Sequence, residues 1–237
     1  MQTGTLFLIP VPLTENAANK SFTAYLGNTV NAIGTYIVEN EKTARKFLKE
    51  AGIKIPQSEL VIHDFGKHKR GNSLVPFFKE LMTGRDVGLM SEAGCPGVAD
   101  PGAEIVAEAH KRGIKVVPLV GPSSVLLALM ASGFNGQSFV FHGYLPIDKV
   151  ERGKKIRELE QAALKNRQTQ LFIETPFRNN HLFEDILKNT QLQTLLCVAC
   201  NITGEDEYIR TMSIGQWRKE RIDLHKKPTI FLLYKEA

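Results

Sequence analysis

Cysteine is scarce in this chain, with three among 237 residues, too few for a disulfide framework. Cys197 and Cys200 form a C-x-x-C inside a run that reads as a strand. Residues three apart on a strand point to opposite faces, so this pair does not easily share a metal or a disulfide. Only Cys95 is left over, so no zinc site is expected and reduced, buried thiols of a cytosolic protein are the reading. His63 and His68 have no clean helical spacing and Gly66 lies between them, so no metal pair is expected there. Long apolar runs are lacking as well. No basic stretch opens the N-terminus, residues 5–13 are too few to span a bilayer, and the region 116–131 is broken by Gly121, Pro122, Ser123 and Ser124. Neither a membrane segment nor export is expected, and the expected location is cytoplasmic. Tryptophan occurs once, and Trp217 and the Phe residues are expected in the core rather than as base-stacking groups. There is no repeat and no low-complexity tract.

What is present is ordinary for a soluble globular chain: 43% hydrophobic and 23% charged residues, enough for one large domain or two small ones. The net charge is +5 and the pI about 9.0, compatible with a nucleic-acid partner without establishing one. Basic residues cluster at Lys67, Lys69 and Arg70, at Arg152, Lys154, Lys155 and Arg157, and at Arg218, Lys219, Arg221, Lys226 and Lys227. Solvated surface charge is the competing reading of each cluster.

Short β-rich runs alternate with helical stretches. The pattern predicts strands at 6–11, 35–38, 87–90, 115–119, 138–143, 169–174, 195–201, 208–213 and 229–234. It predicts helices at 23–33, 41–51, 103–112, 123–132, 149–166, 178–188 and 214–220. Such interleaving argues for α/β units with largely parallel sheets. The link containing Gly204 suggests a hairpin, and hence a mixed sheet, near the end. The natural boundary is 120–123, where Gly-Pro-Ser-Ser follows a strand, giving expected domains 1–120 and 121–237, with Ser123 placed to help cap the next helix.

Residues 88–102, GLMSEAGCPGVADPG, follow an apolar strand-like run and precede a helical one. Gly94, Gly97 and Gly102 let bare backbone approach a ligand. The spacing fits neither G-x-G-x-x-G nor G-x-x-x-x-G-K-[ST], so dinucleotide and P-loop readings fail.

Five segments, in order, resemble the tetrapyrrole methylase superfamily: 38–48 (VENEKTARKFL), 89–102 (LMSEAGCPGVADPG), 118–146, 172–178 (FIETPFR) and 198–212 (VACNITGEDEYIRTM). The resemblance covers nearly the whole chain and is greatest to the bacterial branch that methylates a ribose 2′-hydroxyl in small-subunit ribosomal RNA. It implies two α/β domains with a cleft for S-adenosylmethionine (SAM) between them, and a homodimer. Carried over by position, Ala93, Gly94, Cys95 and Val98 would surround the methionine part of SAM, Ser123 and Ser124 match the polar pair opening the interdomain helix, and Pro12 matches the proline after the first strand. Glu174, Ile202, Pro228 and Thr229 match positions on the adenosine side. Cys95 stands where corrin and porphyrin methylases have Asp, which favours the RNA branch. The chain departs from the pattern at Val11–Asn16, where the family's glycine is missing, at Glu39-Asn40-Glu41-Lys42, and at 62–68, where a His-rich signature is mostly lost.

Transfer to a ribose hydroxyl calls for a base or an orienting group. Glu39 and Glu92, at predicted strand ends, are the catalytic candidates; the competing reading makes Glu39 a helix cap and Glu92 a SAM contact only. Lys42, Arg45 and Arg178 are candidates for holding the RNA backbone, with surface ion pairs as the alternative. The expected function is a SAM-dependent methyltransferase acting on ribosomal RNA or the 30S subunit. A small-molecule (tetrapyrrole) methyltransferase and a non-catalytic SAM-binding protein remain the alternatives.

Overall fold

The computed structural model describes residues 3–66 and 74–235, and the chain divides after Ser123 into two compact units. Lys67, His68, Lys69 and Arg70 lie outside the described residues.

In the first unit five strands run parallel: β1 (Thr5–Leu8), β2 (Thr35–Val38), β3 (Val61–Asp64), β4 (Val87–Met90) and β5 (Lys115–Pro118), in the order β3-β2-β4-β1-β5. Helices α1 (Ala24–Ala32), α2 (Glu41–Glu50), α3 (Lys79–Met82) and α4 (Gly102–Lys111) connect them. Side chains alternate across the sheet with period two. Tyr36 and Val38 pack with Leu26 and Val30 of α1 and Phe47 and Leu48 of α2. Ile37 and Leu89 pack instead with Leu81 of α3 and Ile105 and Ala109 of α4. Burial on both faces explains why β2 and β4 are continuously apolar.

Strands whose following connections leave to opposite faces open a crevice at their carboxyl ends. The chain after β4 runs to α4 on one face, while its neighbours β2 and β1 run to α2 and α1 on the other. The glycine-rich loop after β4 therefore stands between two such crevices.

The second unit has a mixed sheet of β6 (Phe139–Tyr144), β7 (Thr169–Ile173), β8 (Leu195–Cys200), β9 (Tyr208–Ser213) and β10 (Thr229–Tyr234), ordered β6-β7-β10-β8-β9. Only β6 and β7 are parallel; β8 and β9 form the expected antiparallel hairpin. Helices α5 (Ser124–Ser132), α6 (Lys149–Asn166), α7 (Asn179–Asn189) and α8 (Ile214–Trp217) complete it. Trp217 is fully buried, its Nε1 donating to Leu196 O at 2.8 Å. Cys197 and Cys200 are buried, and burial pushes the Cys197 thiol up to about 11 and raises that of Cys200. No described helix is long and apolar enough to cross a membrane.

Three features differ from expectation. β3 and α3 went unanticipated: β3 is a four-residue edge strand reading VIHD, and α3 is a single turn, too short to show a helical period. Phe177, at 65% exposure, is not a core residue. Arg152, grouped by sequence with surface charge, is buried: its Nε and a terminal nitrogen donate to Asp185 Oδ2 at 2.9 and 2.6 Å, and the other nitrogen donates to Ile147 O at 2.7 Å. Its neighbours Lys154 and Lys155 do pair on the surface, with Glu151 and Glu158.

Breaking one side of a buried pair leaves an uncompensated charge, so Asp185→Ala should cost roughly 3–5 kcal/mol. Urea unfolding of wild type and variant measures this, with Lys154→Ala, whose partner is in solvent, as the near-neutral control.

Candidate functional site

At the carboxyl edge of the first sheet three loops converge. The loop after β1 and the loop after β4 are joined by a two-way backbone bridge: Val11 N donates to Gly94 O at 3.0 Å and Gly94 N to Val11 O at 3.1 Å. Gly94 holds φ +73°, and a Cβ there would meet Leu13 Cδ2 at 3.2 Å and Pro122 O at 3.4 Å. Backbone shape and space both favour glycine here. The loop after β5 closes in through Cys95, whose Sγ donates to Pro122 O at 3.3 Å. Gly121 packs so near Pro10 that a Cβ would lie 2.1 Å from its Cγ.

Asp100 fixes the far side of the β4 loop. Both its oxygens accept from Gly97 N at 2.9 Å, and Oδ1 also accepts from Gly102 N at 2.6 Å. Burial raises its carboxyl above the ordinary value, opposed by these amides and by the Ser91 hydroxyl. Burial, and then the Asp100 charge, raises the Cys95 thiol.

Glu39 and Glu92 are brought together although 53 residues apart: Glu39 Oε2 accepts the backbone N–H of Glu92 at 2.9 Å. Glu39 is not the cap of α2; that is Asn40, whose side chain accepts from Thr43 N at 3.2 Å. Glu92 and Ala93 are exposed at the turn, as is Val98, while Pro12 is half-buried beside Val11. Lys42 is exposed on the first turn of α2. Arg45 is engaged within the unit, pairing with Glu41 at 2.8 Å and donating to Gln57 O at 2.6 Å.

Ser123 ends the first unit, and Ser124 opens α5 at the start of the second. Within the second unit β10 runs antiparallel to β7 and β8, so its start adjoins their ends, with Ile230 opposite Ile173 and Thr229 opposite Cys200. This register gathers Glu174, Ile202, Pro228 and Thr229 at one sheet edge. Asn201 N donates to Pro228 O at 2.9 Å. The buried Glu174 carboxylate accepts from Arg178 and from Thr175 N, each at 2.6 Å. Arg178 is thus half of an ion pair, though with a buried partner and not the surface pair of the alternative reading. Among the described residues no group of three or more His, Cys, Asp or Glu is arranged to hold a metal.

Sequence reasoning missed Val11 as half of the loop bridge and gave Asp100 no role. The Asp-Pro-Gly ahead of α4 was the available signal for Asp100; Val11 offered none.

A parallel α/β unit whose glycine-rich loop stands between two strand-end crevices is the frame of an enzyme that binds a small organic molecule at that edge. The model of the tetrapyrrole (corrin/porphyrin) methylases matches residues 14–217, and the chain belongs to that family. It is a SAM-dependent methyltransferase. The ribosomal RNA small subunit methyltransferase I of Vibrio cholerae is 29% identical over 238 residues, covering 98% of this chain and 78% of that protein. The protein of the same name from Bacillus subtilis is 35% identical over 175 residues, covering 74% of this chain and 56% of that protein. Among solved structures, the methyltransferase CobJ aligns with a TM-score of 0.63 at 16% identity, covering 98% of this chain and 95% of that one, a likeness of fold.

The thiolate is the reactive form of cysteine, so a raised pKa means slow alkylation at neutral pH. Cys95 should react with iodoacetamide at pH 8 more slowly than an unstructured cysteine, with its midpoint above that of the unstructured thiol. Asp100→Asn, which removes the nearby charge, should move that midpoint down. Peptide mapping after timed alkylation reads both.

Proposed function

We propose that this protein transfers a methyl group from SAM to a ribose 2′-hydroxyl of small-subunit ribosomal RNA, and that it works in the cytoplasm as a homodimer. The names of its relatives and its basic net charge support the acceptor. The observation that carries the reading is the bridged turn at Glu92–Cys95. Its backbone is fixed from one side by Val11 and from the other by Glu39.

What supports the cofactor assignment is the bare backbone of the turn: Gly94 sits at φ +73° and carries no side chain to stand between a ligand and its peptide groups. We assign Ala93, Gly94, Cys95, Val98 and Pro12 to the methionine part, and Ser123 and Ser124 to its carboxylate. In the second unit, the edge formed by Glu174, Ile202, Pro228 and Thr229 is assigned to the adenosine part. When bound, SAM supplies a methyl already activated on a sulfonium, so the protein's task is positioning. As the carbon–oxygen bond forms and the carbon–sulfur bond breaks, the hydroxyl proton must leave to a base. Glu92 is assigned that role, or the orientation of the hydroxyl, because its side chain is exposed at the turn. Glu39 is a positioning residue, spending its carboxylate on the Glu92 amide. Lys42 is assigned to the RNA backbone; the internal pairing of Arg45 and Arg178 leaves them supporting parts.

The test is transfer of tritiated methyl from SAM to 30S subunits from a strain lacking this gene. Label in RNA is expected with wild type, and Glu92→Gln should lower kcat about 100-fold, within the range for a positioned base. Glu39→Gln, which keeps an acceptor oxygen for the amide, should retain most activity, and Glu39→Ala should lose more. Absence of label in RNA despite SAM binding would overturn the acceptor and turn attention to small molecules.

A further inference from the structure

Phe177 sits on the turn between β7 and α7 with 65% of its surface exposed. A single exposed apolar side chain needs no explanation, but this one is framed on purpose-built backbone. The His225 ring stands edge-on at 5.9 Å between centroids, and Lys226 Nζ lies over one face of the Phe177 ring, 5.9 Å from its centroid. The segment carrying them is strapped to the turn. Lys226 N donates to Pro176 O at 2.9 Å, Asn179 Nδ2 to Lys227 O at 2.6 Å, and Leu224 N to Asn180 Oδ1 at 2.8 Å. Lys226 itself is held at φ +60°, a conformation uncommon for a residue with a side chain.

The acids nearby are engaged internally. Asp223 accepts from Asn180 and from His225 N, which, with the nearby charges of His225 and Lys227, hold its carboxyl below the ordinary value. Glu174 is paired with Arg178. The ring has an imidazole and an ammonium beside it, polar groups unlike the apolar centre of a protein–protein contact. An exposed aromatic ring on a strapped turn, with a cation over one face, suits an unstacked base on the other face and the phosphate that adjoins it.

We propose that Phe177, with Lys226 and His225, is a stacking platform for an unpaired base of the RNA acceptor, Lys226 meeting the adjoining phosphate. The proposal rests on the RNA reading above and extends it to side chains that have been given no cofactor role, on the turn next to the edge assigned to adenosine.

The test is fluorescence anisotropy with a labelled, unstructured 12-nucleotide RNA, alongside calorimetry with SAM. Phe177→Ala should weaken RNA binding about tenfold, within the range for one lost base stack, while Phe177→Trp restores it. Lys226→Gln should reduce the slope of log K against log salt by about 0.7, one phosphate contact on a single strand. SAM affinity should stay unchanged in all three. Wild-type RNA affinity in Phe177→Ala would overturn the platform and leave the RNA reading standing. A parallel loss of SAM affinity would also overturn it, giving the ring to the cofactor. Wild type failing to bind both this RNA and 30S subunits would remove platform and RNA reading together.

Discussion

Two backbone hydrogen bonds between Val11 and Gly94 hold together the loops to which we assign the cofactor. They are short-range in space and long-range in sequence, joining the loop after β1 to the loop after β4. Around them every neighbour is constrained. Gly94 has a positive φ and little space for a Cβ, Cys95 reaches the carbonyl of Pro122, and Gly121 lies against Pro10. Asp100 ties Gly97 to Gly102 at the head of α4. A loop rich in glycine would otherwise sample many conformations; here its shape is set by partners just beyond the ends of β1, β2 and β5. Preorganisation of this kind is what a positioning enzyme needs.

The second unit solves a different problem. Its charged residues divide into those that build the fold and those that face water. Arg152 and Asp185 join α6 to α7 in the interior, whereas Lys154 and Lys155, two and three residues further on, pair at the surface. Glu174 and Arg178 stabilise the turn that presents Phe177. One ion pair therefore closes the short turn that carries the exposed ring.

Much of the architecture could be read from the chain because the signals are local. Continuous apolar runs marked β2 and β4, the glycine cluster at 88–102 marked the loop, and Gly204 between two strand-like runs marked the hairpin. What escaped depends on distant partners or on elements too short for a period. β3 is recognised only by its pairing with β2. Arg152 looks like surface charge until Asp185, 33 residues away, is placed beside it. Glu39, a catalytic candidate with a helix cap as its competing reading, is placed by a distant group: its neighbour Asn40 does the capping, and Glu39 accepts from the amide of Glu92. Phe177 could not be separated from the core phenylalanines, since exposure follows from the packing of a turn and leaves no pattern in sequence.

The central claim is that the bridged turn at Gly94 is where SAM is held. Isothermal titration calorimetry of SAM into wild type and Gly94→Val, each first shown by thermal melting to be folded, tests it most directly. The expected result is saturable binding by wild type and none measurable by the folded variant, whose added side chain meets Leu13 and the Pro122 carbonyl. Equal affinity in the two proteins would contradict the account and move the cofactor away from this loop.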